Sequence, residues 1–191
     1  MAKQKTDESP AEVLERLTRL VRAGEYAGDL NPAQWGALRY LARCNRFSNS
    51  PVALTRYLGA TKGTISQSLI ALERKGLIEK SARPGEARSV VLTLSPAGEQ
   101  RLAGDPWNVV DTLLDEAGGK GRKKLGNVLG KMLDGLTRAR GLPSFGVCAS
   151  CRYFREGGAP DEVKGKHWCL NFEEPVTKTE AEKICASHDP A

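Results

Sequence analysis

The sequence predicts a mainly α-helical chain with a small β-wing: a helix-turn-helix at its centre, a second helical region after it, and a small metal-stapled module at the C-terminal end. Three observations carry this. A capping residue precedes proline at Ser9-Pro10, Asn31-Pro32, Ser50-Pro51, Ser95-Pro96 and Asp105-Pro106, and each pair reads as a helix start. The β-rich runs 76–80 and 89–94 flank a Pro-Gly turn signal. Four of the five cysteines fall in the last 51 residues.

Taken in order, helices are predicted near residues 10–23, 32–44, 51–58, 62–75, 96–103, 106–117 and 121–139. Glu12 and Gln34 sit where a capping box places them. Ser50-Pro51 opens a short helix that Gly59 ends. Across Thr61 to Lys75, Ile65, Leu69 and Leu72 recur at i, i+4 and i+7 as one apolar stripe. The face assigned to solvent carries Lys62, Thr64, Ser66, Gln67, Ser68 and Arg74. Short hydroxyl and amide side chains at the front of a helix lie close to base edges in a major groove, while Lys and Arg reach phosphates. The hairpin that follows places Arg83 and Arg88 at its tip. The candidate DNA contacts are therefore Thr61, Lys62, Thr64, Ser66, Gln67, Ser68, Arg74, Arg83 and Arg88.

The run K-G-T-I-S-Q-S-L-x-x-L-E-R-K-G-L-I, followed by E-x-R and L-T-L-S-P-A-G, resembles the winged helix-turn-helix of the MarR transcriptional regulators. With its flanking helices the resemblance covers roughly Val13 to Arg140, and Glu86-Ala87-Arg88 stands where that family usually carries Asp-x-Arg. It implies a duplex-DNA-binding regulator whose terminal helices interlock two subunits. Such a homodimer presents two recognition helices to a palindromic operator. Two apolar stripes are the matching surfaces, one of Val13, Leu14, Leu17, Leu20 and Val21, the other of Leu125, Val128, Leu129, Met132, Leu133 and Leu136. The resemblance also implies a cleft for a small-molecule ligand between the dimer and reading regions.

Charge is distributed accordingly. The chain of 191 residues carries a formal charge of +6. Residues 1–140 hold 23 Lys and Arg against 15 Asp and Glu, and residues 141–191 hold 6 against 8. The basic part is the part expected to meet phosphate. Lys120-Gly121-Arg122-Lys123-Lys124 is read as a solvated helix start rather than an extra phosphate contact. No apolar run approaches about 20 residues and the N-terminal residues lack a signal-peptide core, so no membrane association and a cytoplasmic location are expected. The expected division is 1–30, an N-terminal dimerisation helix; 31–104, the winged helix-turn-helix; 105–140, C-terminal dimerisation helices; and 141–191, the cysteine module.

That module is too short to hold itself together by apolar burial and needs a staple. A cytosolic chain keeps thiols reduced, so disulfides are disfavoured. Cys148-Ala149-Ser150-Cys151 is a chelating knuckle, and Cys148, Cys151, Cys169 and Cys185 are the candidate metal ligands. Thiolates select zinc or iron-sulfur centres. Zinc ribbons carry two C-x2-C knuckles; here the spacing is C-x2-C-x17-C-x15-C, with one. One knuckle with two isolated cysteines resembles the cluster loop of high-potential iron-sulfur proteins, in C-x-x-C-x-x-F (Cys148, Cys151, Phe154), C-x-x-F (Cys169, Phe172) and C-A-S (Cys185, Ala186, Ser187). The resemblance covers about 40 residues, with longer spacings and with His188 where the last aromatic would stand. Aromatic shielding suits a cluster, so an iron-sulfur cluster is favoured, with Zn2+ as the alternative. His167 is read as a packed or surface residue before a ligand, a second knuckle arises only if Cys185-Ala186-Ser187-His188 supplies it and leaves Cys169 spare, and Cys44 is read as a small core residue before a switch thiol.

The functional expectation is a dimeric repressor whose cysteine module senses redox state or iron and acts by packing against the dimer helices. Two alternatives stand beside it: the same regulator with a purely structural zinc site, and a winged-helix factor docking on RNA polymerase. No enzyme is expected, because the chain has no phosphate-cradling Gly-rich loop and no Ser/His/Asp set.

Overall fold

A computed structural model describes residues 8–83, 86–158, 160 and 167–191. The predicted turn at Pro84-Gly85 lies outside these, as do the side chains of Glu86, Ala87 and Arg88.

Among the described residues, eight helices and five strands follow in order: α1 Pro10–Glu25, α2 Pro32–Arg43, α3 Pro51–Leu58, α4 Lys62–Arg74, β1 Ile78–Arg83, β2 Glu86–Leu94, α5 Pro96–Arg101, α6 Asn108–Glu116, α7 Gly118–Ala139, β3 Phe154–Arg155, β4 His167–Cys169, β5 Glu174–Val176 and α8 Lys178–Ala181. The cap-plus-proline signals mark their helices because each cap accepts a backbone N–H: Ser9 from Glu12, Asn31 from Gln34, Ser50 from Ala53 and Ser95 from Gly98. Asp105 departs from this. The helix after it opens only at Asn108, and the Asp105 carboxylate accepts the Trp107 N–H instead. The helix expected at 96–103 ends at Arg101 and tightens into a 3-10 turn over Leu102–Gly104.

The core fills the angle between α2, α3, α4 and the hairpin, with Leu38, Tyr40, Leu54, Ile65, Leu72, Ile78 and Leu92 fully buried. Gly59 ends α3 at φ 59, in the left-handed region that glycine enters without strain, and so makes the turn into α4. Strands β1 and β2 pair antiparallel from Ile78↔Leu94 to Ala82↔Val90, with a register shift beside Arg83. Gly98 packs against the base of this hairpin so closely that a Cβ there would stand 2.1 Å from the Leu77 carbonyl oxygen.

One buried polar node ties the helices together. Arg39 of α2 pairs with Glu25 at the end of α1 (2.5 Å) and with Asp105 before α6 (2.9 Å), while the Trp107 indole N–H donates to Glu25. Glu25 is 2 % exposed, and the paired guanidinium makes that burial tolerable. Beyond the node, α1 and α7 keep their apolar stripes uncovered, from Val13 to Leu20 and from Leu125 to Leu136.

The C-terminal residues add what the sequence did not predict, a three-stranded antiparallel sheet ordered β3-β4-β5. Its strands are two or three residues long, too short for a period-2 pattern to register.

Candidate nucleic-acid interface and cysteine cavity

Helix α4 presents Lys62, Thr64, Ser66, Gln67 and Arg74 as exposed side chains, preceded by exposed Thr61. Thr61 is partly committed to structure: its hydroxyl oxygen accepts the Thr64 N–H (3.1 Å) and lies 2.9 Å from the Thr64 hydroxyl. Ser68 is a correction. It is 4 % exposed, because it stands three residues after Ile65 and four before Leu72 and so shares their buried side of the helix. In the wing, Arg83 is half-buried and its guanidinium reaches the Asn49 side-chain oxygen at 3.4 Å. Beside α4, an open cleft of about 1010 Å³ runs between the end of α1 and the start of α2, lined by Arg22, Tyr26, Asn31, Gln34, Thr64 and Gln67 among others.

The four C-terminal cysteines come together on one cavity. Cys148 opens a 3-10 turn whose carbonyl accepts the Cys151 N–H at 2.9 Å, which aims both thiols from one knuckle. Cys169 ends β4 opposite Phe154, and the Cys185 N–H is held by the Gly146 carbonyl at 2.8 Å. All four line one small cavity of about 20 Å³ with Phe47, Tyr153, Phe154, Phe172 and Val176. Burial first, and then the neighbouring Cys185, Cys169 and Cys151, push the Cys148 thiol up to about 11. Four thiols gathered on one apolar-walled cavity are a donor set that suits a thiophilic cation. Among the described residues, no three His, Cys, Asp or Glu side chains are grouped as a ready-made single-ion site.

Neither histidine lines that cavity. His167 Nδ1 accepts the Gly157 N–H at 3.1 Å and the ring packs on Phe154. His188 Nε2 lies 3.0 Å from the Ser150 hydroxyl, behind the knuckle. Cys44 is buried outside the cavity, its thiol pushed up to about 11 by burial, as befits a core residue.

The expectation that the module packs against the dimer helices is corrected. It docks on the α2–α3 connection, residues 44–49. The Ile184 N–H donates to the Arg43 carbonyl (2.8 Å), the Asn45 N–H to the Ile184 carbonyl (2.9 Å) and the Ala186 N–H to the Ser48 hydroxyl oxygen (2.8 Å). Arg46 pairs with Glu174 (2.9 Å) and Glu180 and donates to the Pro175 carbonyl (2.6 Å). Phe47 stacks on Phe172 with centroids 4.2 Å apart, and Phe145 wedges edge-on against Tyr40 and Tyr57. Sequence reasoning passed over Arg46, Phe47, Ser48 and Asn49. An Arg-Phe pair in a loop otherwise rich in short polar residues was the available signal.

Residues 28–89 match the sequence model of the MarR family. Among solved structures, the chain is similar to a MepR mutant from a multidrug-resistant S. aureus clinical isolate (19% identity, 69% of this chain and 99% of that one, TM-score 0.56). It is likewise similar to an S. aureus MepR–DNA complex (18% identity, 68% and 99%, TM-score 0.54) and to MarR (23% identity, 73% and 99%, TM-score 0.54). No curated protein matches the chain. These likenesses carry the fold of roughly two thirds of the chain.

Proposed function

We propose that this chain, whose residues 28–89 carry the winged helix-turn-helix of the MarR family, is a sequence-specific DNA-binding transcription regulator, acting as a homodimeric repressor, whose four C-terminal cysteines hold an iron-sulfur centre that senses redox state or iron. The exposed polar face of α4, set beside a wing in the order that fold requires, carries the DNA-binding reading. A solved relative of the same fold, MepR, is described in complex with DNA.

Dimerisation is supported by α7. Its 22 residues are all exposed or nearly so, and a helix with so long an apolar stripe is stable in water only when that stripe is covered. A second copy laying its own α1 and α7 on these would bury both stripes and set two α4 helices on one palindromic site. The open cleft beside α4 is the place for a small-molecule ligand.

The cysteine cavity supports the sensing reading. Four cysteine thiols converging on one apolar-walled cavity form the donor set that iron-sulfur centres use, and Cys148, Cys151, Cys169 and Cys185 are the proposed ligands. An iron-sulfur centre, when bound, supplies one-electron chemistry and sensitivity to oxidants. The protein's own part is to hold four thiolates, to keep water from their sulfurs with Phe47, Phe154 and Phe172, and to seat the whole module on residues 44–49.

Purification without oxygen, followed by measurement of iron, acid-labile sulfide and zinc per subunit and of operator affinity before and after chelation, tests this. Iron with sulfide and a changed affinity are expected. Stoichiometric zinc with an unchanged affinity overturns the sensor and leaves a structural staple.

A further inference from the structure

Two buried routes leave the cysteine cavity, and both enter the α2–α3 connection. Asn45 and Phe47 form part of the cavity wall together with the four cysteines. Ala186, next to Cys185, donates its N–H to the Ser48 hydroxyl, which in turn donates to the Asn45 side-chain oxygen at 2.8 Å. The Ser48 carbonyl accepts the Tyr40 hydroxyl at 2.7 Å, so this serine is fixed on every side and fully buried. The next residue faces the other way. The Asn49 carbonyl accepts the Leu92 N–H of β2 at 2.8 Å, and its side-chain oxygen accepts from Arg83 of β1.

We infer that residues 44–49 form a relay within one subunit, through which the state of the cysteine cavity sets the position of the wing, with Ser48 and Asn49 as its positioning residues. The inference rests on the sensing reading above and replaces its route: the signal reaches DNA through the wing and Arg83, not through the spacing of the two subunits. Buried hydrogen bonds make such a relay stiff, because Ser48 cannot shift without straining its bonds to Ala186, Asn45 and Tyr40 together. Shared elements with discrete arrangements are what a physical coupling requires. Arg46, paired with Glu174 and Glu180, and the Phe47–Phe172 stack hold the module on this relay.

The experiment compares full-length chain as purified without oxygen with the same chain stripped by a chelator. Two quantities are read: the ratio of operator Kd values, and hydrogen exchange of the Leu92 amide. In the parent chain, metal content is expected to change both, with a Kd ratio of about tenfold or more in either direction. In Ser48→Ala, and in the milder Asn49→Ala, the Kd ratio is expected to collapse to within about twofold while metal per subunit stays at the parent level. The ratio should also survive the insertion of one base pair between half-sites, since each wing acts alone. A parental ratio retained in both Ser48→Ala and Asn49→Ala, or a ratio abolished by the changed spacing, overturns the relay while the sensor stands. A ratio of one in the parent chain overturns the sensor itself.

Discussion

Gly98 and Ser68 show how much a single position decides. The approach of Gly98 to the Leu77 carbonyl leaves no room for a methyl group, so Gly98→Ala is expected to lower unfolding free energy by about 1–3 kcal/mol, read as a shift of the urea midpoint at constant slope. Ser68 was open to correct reading from spacing alone, since its offsets from Ile65 and Leu72 are helical-neighbour offsets; polarity outweighed position. Cys44 bears on pH. Burial raises its thiol from the ordinary 9.0 to about 11, so the folded chain holds that proton more tightly than the unfolded chain. The resulting stability is complete below pH 9 and is lost as pH rises through about 11. Urea titrations over this window should show a loss in the parent chain that is smaller in Cys44→Ala, and equal losses would refute the assignment. Among the cavity thiols, Cys169→Ala is expected to abolish stoichiometric metal while leaving the circular dichroism of the helices near parental, since Cys169 belongs to the small sheet and not to the reading core.

The elements that sequence made legible are those written in local chemistry. A cap, a proline and an apolar period lie within a dozen residues of one another, and α1 to α4 and the wing follow from them. The seat of the cysteine module is written in pairs more than a hundred residues apart, such as Ser48 with Ala186 and Arg46 with Glu180, and no window of sequence displays them. For the same reason the four cysteines were recognisable as one donor set, while the wall that Asn45 and Phe47 add to their cavity was not. The seat has an energetic consequence. Phe145, Ile184 and Ala186 pack into the core cluster of the reading domain, so the C-terminal element completes that core. Removing residues 141–191 should therefore destabilise residues 1–140 by several kcal/mol, at about 1.5–3 kcal/mol for each large apolar side chain lost. Chemical denaturation of the truncated chain tests this, and an unchanged midpoint would mean that the module is an independent appendage.

At the scale of the molecule, the uncovered stripes of α1 and α7 are the largest departure from a closed surface. Leu133 is 65 % exposed, so Leu133→Asp costs the single subunit little and places a charge in the middle of the proposed subunit contact. Sedimentation should report a monomer, and operator affinity should fall steeply. A dimer that persists in this variant would relocate the contact. The four regions expected from sequence are also joined across their boundaries. Arg39 joins the end of α1 and the start of the α6 region to α2, and α2 runs directly into residues 44–49. The proposed contacts between subunits, the proposed contacts with DNA and the cysteine cavity thus all bear on one twelve-residue helix.

The pairing of Ser48 with Ala186 also has a meaning in time. A separation of 138 residues must be synthesised before the second partner exists, which at about 5–20 residues per second takes roughly 7–30 s on the ribosome. From the synthesis of Leu94 to the end of that interval, the N-terminal domain has its helices and hairpin but lacks its final core side chains. The nascent chain therefore passes through a stage that offers Tyr40 and Tyr57 to chaperones and proteases, and completion of the cysteine module is the event that ends it.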